Sequence, residues 1–140
     1  MNGENKLIIY TDGGARGNPG PAAYGVFITD SSGNKLAGLG KKIGETTNNI
    51  AEYSGVLAAL TWVLETNPNF DQIDMYMDSQ LVYSQLAGLY KVKNDKLREL
   101  LFAIREREAL IKKPIRYFHI PRSKNVQADL LVNLALDKNN

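Results

Sequence analysis

The sequence predicts an α/β protein with a mixed β-sheet whose later strands are joined by helical crossovers. Three strand-like segments come first and are separated by short turns, a pattern typical of an antiparallel meander. After residue 46, helix-like and strand-like segments alternate, which favours parallel strands connected by helices. Because no repeat, low-complexity tract or linker interrupts the 140 residues, we expect one domain over residues 1–140.

The meander is predicted from runs of strand-forming residues that are separated by turn residues. Residues 7–10 form a short apolar run, and we expect this strand to end at Asp12, before a turn rich in glycine and proline. Residues 22–29 form a second strand, and residues 30–34 form a hairpin turn. Residues 35–43 form a third strand, which is interrupted by glycines and expected at an edge of the sheet.

The second half of the chain is assigned from apolar residues at helical spacing and from residues that cap or break helices. Asn94 is a candidate N-cap, whereas Pro68, Gly88 and Pro114 end the segments that precede them. The predicted segments are a helix at about 47–65, a strand at 73–77, helices at about 79–87 and 95–111, a strand at 115–120 and a helix at 126–136.

The composition narrows the classes of function. The chain has no cysteine and one histidine, His119, so a metal would bind mainly to oxygen ligands. No apolar run approaches the roughly 20 residues that span a bilayer, and the polar N-terminus has no signal-peptide core. We therefore expect a cytoplasmic protein, and a monomer. A formal net charge of +2 does not by itself indicate a nucleic-acid binder.

Four acidic residues lie at the edges of the predicted elements. Asp12 and Asp78 follow predicted strands, and if these strands are parallel neighbours the two residues lie at one edge, roughly 5 Å apart. Glu52 lies one turn before the apolar stripe of its helix, and Asp129 lies in the first turn of the last helix. All four could therefore lean over the same point.

Three of the four acids also have a purely structural explanation. Asp12 could shape a turn, Glu52 could interact with the helix dipole, and Asp78 could be a helix N-cap. If the four acids converge, they repel one another, and a divalent cation such as Mg²⁺ or Mn²⁺ would relieve the repulsion. Two such ions roughly 4 Å apart could activate a water for hydrolysis of a phosphodiester.

Four segments in the order and spacing found here resemble the signatures of the ribonuclease H type 1 family. They are YTDGGARGNPG at 10–20, TNNIAE at 47–52, DSQ at 78–80 and NVQAD at 125–129. The resemblance implies a five-stranded sheet of order 3-2-1-4-5. It also implies cleavage of the RNA strand of RNA/DNA hybrids, which leaves 5′-phosphate and 3′-hydroxyl ends. By motif position, the implied Mg²⁺ ligands, with Mn²⁺ as a substitute, are Asp12, Glu52, Asp78 and Asp129.

The resemblance also implies residues that contact the substrate. Gly13, Asn48 and Gln80 match positions that meet the RNA strand, where its 2′-hydroxyls are displayed. Three further positions match contacts to the DNA strand, and one more belongs to the substrate-binding set: Asn49 on the DNA side, Asn18 and Thr47 at a DNA phosphate, and Asn125. The alternative is a turn at residue 18 and a helix cap at 47–49, and both roles can coexist.

Two departures from the family pattern affect the prediction. Many members carry a histidine in the loop before the last acid, but His119 still lies in strand-like sequence, so we favour Arg122 as the auxiliary group. Larger members insert a basic helix and loop, whereas residues 89–93 lead directly to the next helix. Hybrid binding should then be weaker and steeply salt-dependent. The alternatives are a catalytically silent hybrid-binding module and another nuclease of the superfamily, such as a junction resolvase or transposase core.

Overall fold

A computed structural model describes residues 5–138 and contains a five-stranded mixed sheet of order β3-β2-β1-β4-β5. The strands are β1 (Lys6–Ala15), β2 (Gly20–Thr29), β3 (Lys35–Thr46), β4 (Gln72–Met77) and β5 (Ile115–His119). The helices are α1 (Asn48–Thr66), α2 (Gln80–Leu86), α3 (Asp95–Ile111) and α4 (Val126–Asp137), with a 3₁₀ turn at Arg122–Lys124. Strand β2 is antiparallel to β1 and β3, whereas β4 is parallel to β1 and β5. The predicted fold class and strand order are confirmed.

Helices cover both faces of the sheet. Helix α1 packs on β1 and α3, and all four residues predicted to form its core face are buried: Val56, Ala59, Leu60 and Val63. Helix α4 packs on β2 and β3, where Val132 and Ala135 form a separate small core with Ala23. Within the described residues, no helix is both long and apolar enough to cross a membrane.

Two glycines let helices approach the centre of the sheet on opposite faces. A Cβ on Gly13 would lie 2.3 Å from the backbone carbon of Ala51 in α1, and a Cβ on Gly25 would lie 2.3 Å from the carbonyl oxygen of Ala128 in α4. Gly25 of β2 is paired with Asp12 of β1, which precedes Gly13. Because successive residues of a strand point to opposite faces, α1 at Gly13 and α4 at Gly25 lie on opposite faces of the sheet. The backbones that carry Glu52 and Asp129 are thereby brought next to β1.

The predicted end of the first strand was wrong. Strand β1 stops pairing with β4 at Tyr10, but it continues past Asp12 and pairs with β2 as far as Ala15. The two glycines after Asp12 resemble a turn in the sequence, yet the ladder with β2 keeps them extended. Strand β3 also runs beyond the predicted residue 43, because a register shift near Gly44, at φ +86°, lets pairing with β2 continue.

Candidate active site

Asp12 and Asp78 lie side by side because β1 and β4 stop pairing at the same level. The last parallel pair is Tyr10 with Tyr76, and each acid lies two residues further along its own chain segment. Ser79, rather than Asp78, caps α2, since its Oγ accepts a hydrogen bond from the Val82 amide at 3.2 Å. The N-cap explanation of Asp78 is therefore wrong, and its carboxylate faces other partners.

Helix α1 supplies a third carboxylate to the same point. One carboxylate oxygen from each of Asp12, Glu52 and Asp78 lies within 4.8 Å of the other two. The predicted convergence of these acids is confirmed. Asp129 on α4 is outside this group of three oxygens, but its carboxyl interacts with that of Asp12 and lines the same cleft. The arrangement thus provides three central carboxylates and a fourth beside them.

Burial and neighbouring charges raise the pKa values of two of the acids, Asp12 and Glu52. Burial, followed by the negative charge of Asp78, raises the pKa of Asp12 from 3.8 to about 7. Burial and the charge of Asp12 raise the pKa of Glu52 from 4.5 to about 8, although a hydrogen bond from Ser79 and the charge of Arg122 oppose the shift. Near neutral pH these carboxyls therefore hold protons that a divalent cation would displace. An oxygen-only, negatively charged donor set fits a hard cation such as Mg²⁺.

Asn125 is buried beside this cluster and holds it by hydrogen bonds, so it is not placed to contact a substrate. The residue is 1% exposed, and its Nδ2 donates hydrogen bonds to the Thr11 carbonyl at 2.9 Å and to Asp78 Oδ2 at 2.8 Å. The Asp129 amide in turn donates to the Asn125 carbonyl at 3.2 Å. The expected substrate-binding role of Asn125 is corrected: burial makes it a positioning residue that ties Asp78 and α4 to β1. Within residues 5–138, Asn125 Oδ1 is the one buried side-chain nitrogen or oxygen atom that has no hydrogen-bond partner.

The acids line an open cleft of about 400 Å³. Eight of the residues predicted to form the site lie along it: Asp12, Gly13, Asn48, Asn49, Glu52, Asp78, Arg122 and Asp129. Five others do not line it: Asn18, Thr47, Gln80, His119 and Asn125. His119 is exposed, and its ring lies 6.2 Å from the ring of Tyr83 on α2. The geometry thus separates the two candidates for the auxiliary group and leaves Arg122 beside the acids.

The predicted phosphate-binding residues form the cap of α1. Thr47 Oγ1 accepts a hydrogen bond from the Ile50 amide at 3.3 Å, and Asn18 Oδ1 accepts one from the Asn48 amide at 3.0 Å. Asn48 Oδ1 accepts a hydrogen bond from the Ala15 amide at 2.8 Å, which joins the end of β1 to the helix. The capping alternative is therefore observed. These bonds use the amide oxygens of both asparagines, and their substrate contacts stay predictions.

Two further polar residues of the cleft were missed by sequence reasoning. Arg16 follows β1 and pairs with Asp137 at the end of α4, with 2.7 Å between Nη2 and Oδ1. Asn133 Nδ2 donates a hydrogen bond to the Asp129 carbonyl at 3.1 Å. Arg16 lies inside the first motif, four residues after Asp12, and that position was the available signal.

Comparisons with known proteins agree with this geometry. The family model described as "Reverse transcriptase-like" matches residues 10–135. Ribonuclease HI of Halobacterium salinarum is 42% identical over 94% of this chain and 65% of its own length, and Ribonuclease H of Ruthia magnifica is 33% identical over 96% and 97%. The crystal structure of LC11-RNase H1 in complex with RNA/DNA hybrid has a TM-score of 0.88 and 45% identity, and the match covers 94% of this chain and 96% of that one.

Some relatives are much longer than this chain. The bifunctional protein Rv2228c of Mycobacterium tuberculosis is 38% identical over 133 residues, which are 94% of this chain but 36% of that protein. The chain thus spans about a third of the length of this mycobacterial relative.

Proposed function

Since this chain belongs to the ribonuclease H family, we propose that it is an endonuclease that hydrolyses the RNA strand of RNA/DNA hybrids, giving 5′-phosphate and 3′-hydroxyl ends. The observation that carries the proposal is the meeting of oxygens from Asp12, Glu52 and Asp78 within 4.8 Å. A purely binding protein would be more stable without this repulsion, so the intact cluster favours catalysis over a silent hybrid-binding module.

The acids would hold Mg²⁺, with Mn²⁺ as a substitute. Asp12, Glu52 and Asp78 offer the central ligands, and Asp129 adds a carboxylate on the α4 side of the cleft. When bound, divalent cations supply activation of the attacking water and stabilisation of the leaving oxygen. Asn125 holds the Asp78 carboxylate through its hydrogen bond at 2.8 Å. The protein's part is therefore to gather and orient oxygen ligands.

Arg122 is the proposed auxiliary group. It begins the 3₁₀ turn before α4, it is exposed, and its charge opposes the burial that raises the pKa of Glu52. An exposed cation beside the acids could attract the scissile phosphate and then help the cleaved product to leave. His119 remains the second candidate, but it does not line the cleft that contains the acids.

The proposed substrate contacts surround the acids. Gly13, Asn48 and Asn49 line the cleft, and Gln80 begins α2 two residues after Asp78. We propose that Asn49 meets the DNA strand and that the other three meet the RNA strand, whose 2′-hydroxyls distinguish it from DNA. Asn18 and Thr47, together with the start of α1, would bind a DNA phosphate.

The segment between α2 and α3 is too short to contain a basic helix and loop. Only residues 87–94 separate these two helices. Hybrid binding would then depend on scattered lysines and arginines, and the affinity should fall steeply with salt.

The decisive experiment incubates a 5′-labelled RNA strand, annealed to DNA, with the protein and Mg²⁺, and resolves the products on a sequencing gel. We expect internal cuts in the RNA strand, none in EDTA and none with Asp12→Asn. The matched control is Asp71→Asn, which changes an exposed acid far from the cleft. Binding without cleavage would support the silent module, and cleavage of duplex DNA would support another nuclease of the superfamily.

A further inference from the structure

The ion pair between Arg16 and Asp137 joins a residue that lines the acidic cleft to the last residue of α4. Nη2 of Arg16 lies 2.7 Å from Oδ1 of Asp137, and the two side chains are 49% and 62% exposed. Ion pairs in this much solvent contribute little to stability and are readily exchanged. The arginine is therefore available to another anion that approaches the cleft.

The backbone under Arg16 is fixed, so its side chain starts from a defined place. The Arg16 amide donates a hydrogen bond to the Pro21 carbonyl at 2.8 Å. The preceding Ala15 amide donates to Asn48 Oδ1 at 2.8 Å. Arg16 thus leaves the sheet directly beside a residue that lines the cleft near the acids.

Helix α4 does not depend on this pair for its position. It already lies on Gly25 and Gly40, where any Cβ would collide with its backbone, and it buries Val132 and Ala135. Asp137 is the last residue of the helix, where the helix dipole disfavours a negative charge. A purely structural latch therefore does not explain why the Arg16 side of the pair lines the cleft.

Arg16 and Arg122 are the two cationic side chains that line the cleft within residues 5–138. Arg122 lies just before α4, and Arg16 is paired to the last residue of the same helix. The 12 residues of α4 span roughly 18 Å at 1.5 Å per residue. Because the two arginines lie near opposite ends of this helix, they can contact different phosphates of one nucleic acid.

We propose that Arg16 binds a backbone phosphate of the hybrid in place of Asp137, and that Asp137 acts as a built-in competitor that weakens substrate binding. The proposal rests on the hybrid being the substrate. A guanidinium binds phosphate through two parallel hydrogen bonds, and a phosphate carries a full negative charge. The exchange forms no covalent bond and leaves the Asp137 carboxylate in water.

The test measures the binding of a fluorescein-labelled RNA/DNA hybrid in EDTA, by anisotropy, over a series of salt concentrations. Arg16→Gln should weaken binding roughly three- to tenfold at low salt and reduce the slope of log K against log salt by about 1. Asp137→Asn should tighten binding severalfold, because the competitor is removed. The double variant should bind like Arg16→Gln, since the gain from Asp137→Asn requires a free Arg16.

The two single variants should change hybrid affinity in opposite directions if Arg16 binds substrate, but not if the ion pair is a structural latch. If the pair only holds α4, both single variants should weaken binding equally and lower the melting temperature together. That result, or an unchanged salt slope in Arg16→Gln, would overturn the proposal, as would a wild-type protein that does not bind the hybrid. Cleavage by the wild-type protein is measured separately with Mg²⁺. A protein that binds as described without cutting would refute the proposed catalysis and leave the role of Arg16 intact.

Discussion

Replacing Asp12 by Asn should stabilise the metal-free protein while abolishing its activity. Asp12 is 8% exposed, and its pKa is raised from 3.8 to about 7 by burial and then by the charge of Asp78. Between these two pH values the native carboxyl keeps a proton that the unfolded chain has lost. The native state then binds more protons than the unfolded state, so this group lowers stability as pH rises through the window.

The size of the effect follows from the two pKa values. Each pH unit between them corresponds to about 1.4 kcal/mol, and the interval from 3.8 to about 7 therefore corresponds to roughly 4 kcal/mol at most. Asn keeps an oxygen that can accept the Gly13 amide, which donates to Asp12 Oδ1 at 2.9 Å. We expect Asp12→Asn to be more stable by roughly 2–4 kcal/mol above pH 8, or about 10 °C in melting temperature, and equal to wild type below pH 4.

The assay is thermal unfolding followed by circular dichroism in EDTA, at intervals from pH 4 to pH 9. Glu99→Gln is the control, because it removes an exposed acid on α3, and it should shift stability by less than about 0.5 kcal/mol at any pH. Added Mn²⁺ should raise the melting temperature of wild type and of the control, since the ion binds the native state. It should leave Asp12→Asn nearly unchanged.

The reasoning would be refuted by a stability difference between Asp12→Asn and wild type that is constant from pH 4 to pH 9. A variant that is less stable than wild type at pH 8.5 in EDTA would refute it as well. Either result would mean that burial and the neighbouring carboxylates together do not disfavour the charged form of Asp12, and the proposed cation cage would lose its electrostatic basis.

Three other substitutions test the parts of the site separately. Asn125→Ala removes two hydrogen bonds of a buried side chain, so stability in urea should fall by roughly 2–4 kcal/mol, and kcat should fall more than KM rises. Gly13→Ala introduces a Cβ 2.3 Å from the α1 backbone and should abolish the Mn²⁺-induced rise in melting temperature. Gly14→Ala should retain it, because its Cβ would make only an ordinary contact with Val132 Cγ1 at 3.9 Å. Arg122→Ala should slow turnover after the first product burst, and His119→Ala should leave both phases unchanged.

Local chemistry predicted most element boundaries. Helix α3 runs from Asp95 to Ile111 as expected, because Asn94 caps it through a 3.0 Å hydrogen bond to the Leu97 amide and Pro114 follows its end. The alternation of helices and strands predicted the mixed sheet with helical crossovers, and the family resemblance implied the strand order. The helix boundaries depend on residues that are close together in the chain, so a single sequence is enough to predict them.

Long-range features were less accessible. The continuation of β1 to Ala15 depends on its pairing with β2, which overrides the turn preference of two glycines. The burial of Asn125 depends on hydrogen bonds to Thr11 and Asp78, which are distant in the chain. The partner of Arg16 is a residue at the other end of the sequence. No local pattern encodes these contacts, so the sequence predicted which residues converge but not how they are supported.

The support for the acids is steric, because the carboxylates themselves repel. Gly13 allows the α1 backbone to approach so closely that a Cβ at this position would lie 2.4 Å from the Glu52 amide nitrogen. Gly25 likewise allows α4 to approach next to Asp129. Asn125 then adds hydrogen bonds that hold Asp78 against β1. Since none of these contacts involves a cation, the cluster should keep its shape without metal, and metal binding should release protons rather than fold the site. The number of protons released when Mn²⁺ binds at pH 7 can be measured by calorimetry in buffers of different ionisation enthalpy. Release of less than one proton per protein would contradict this account.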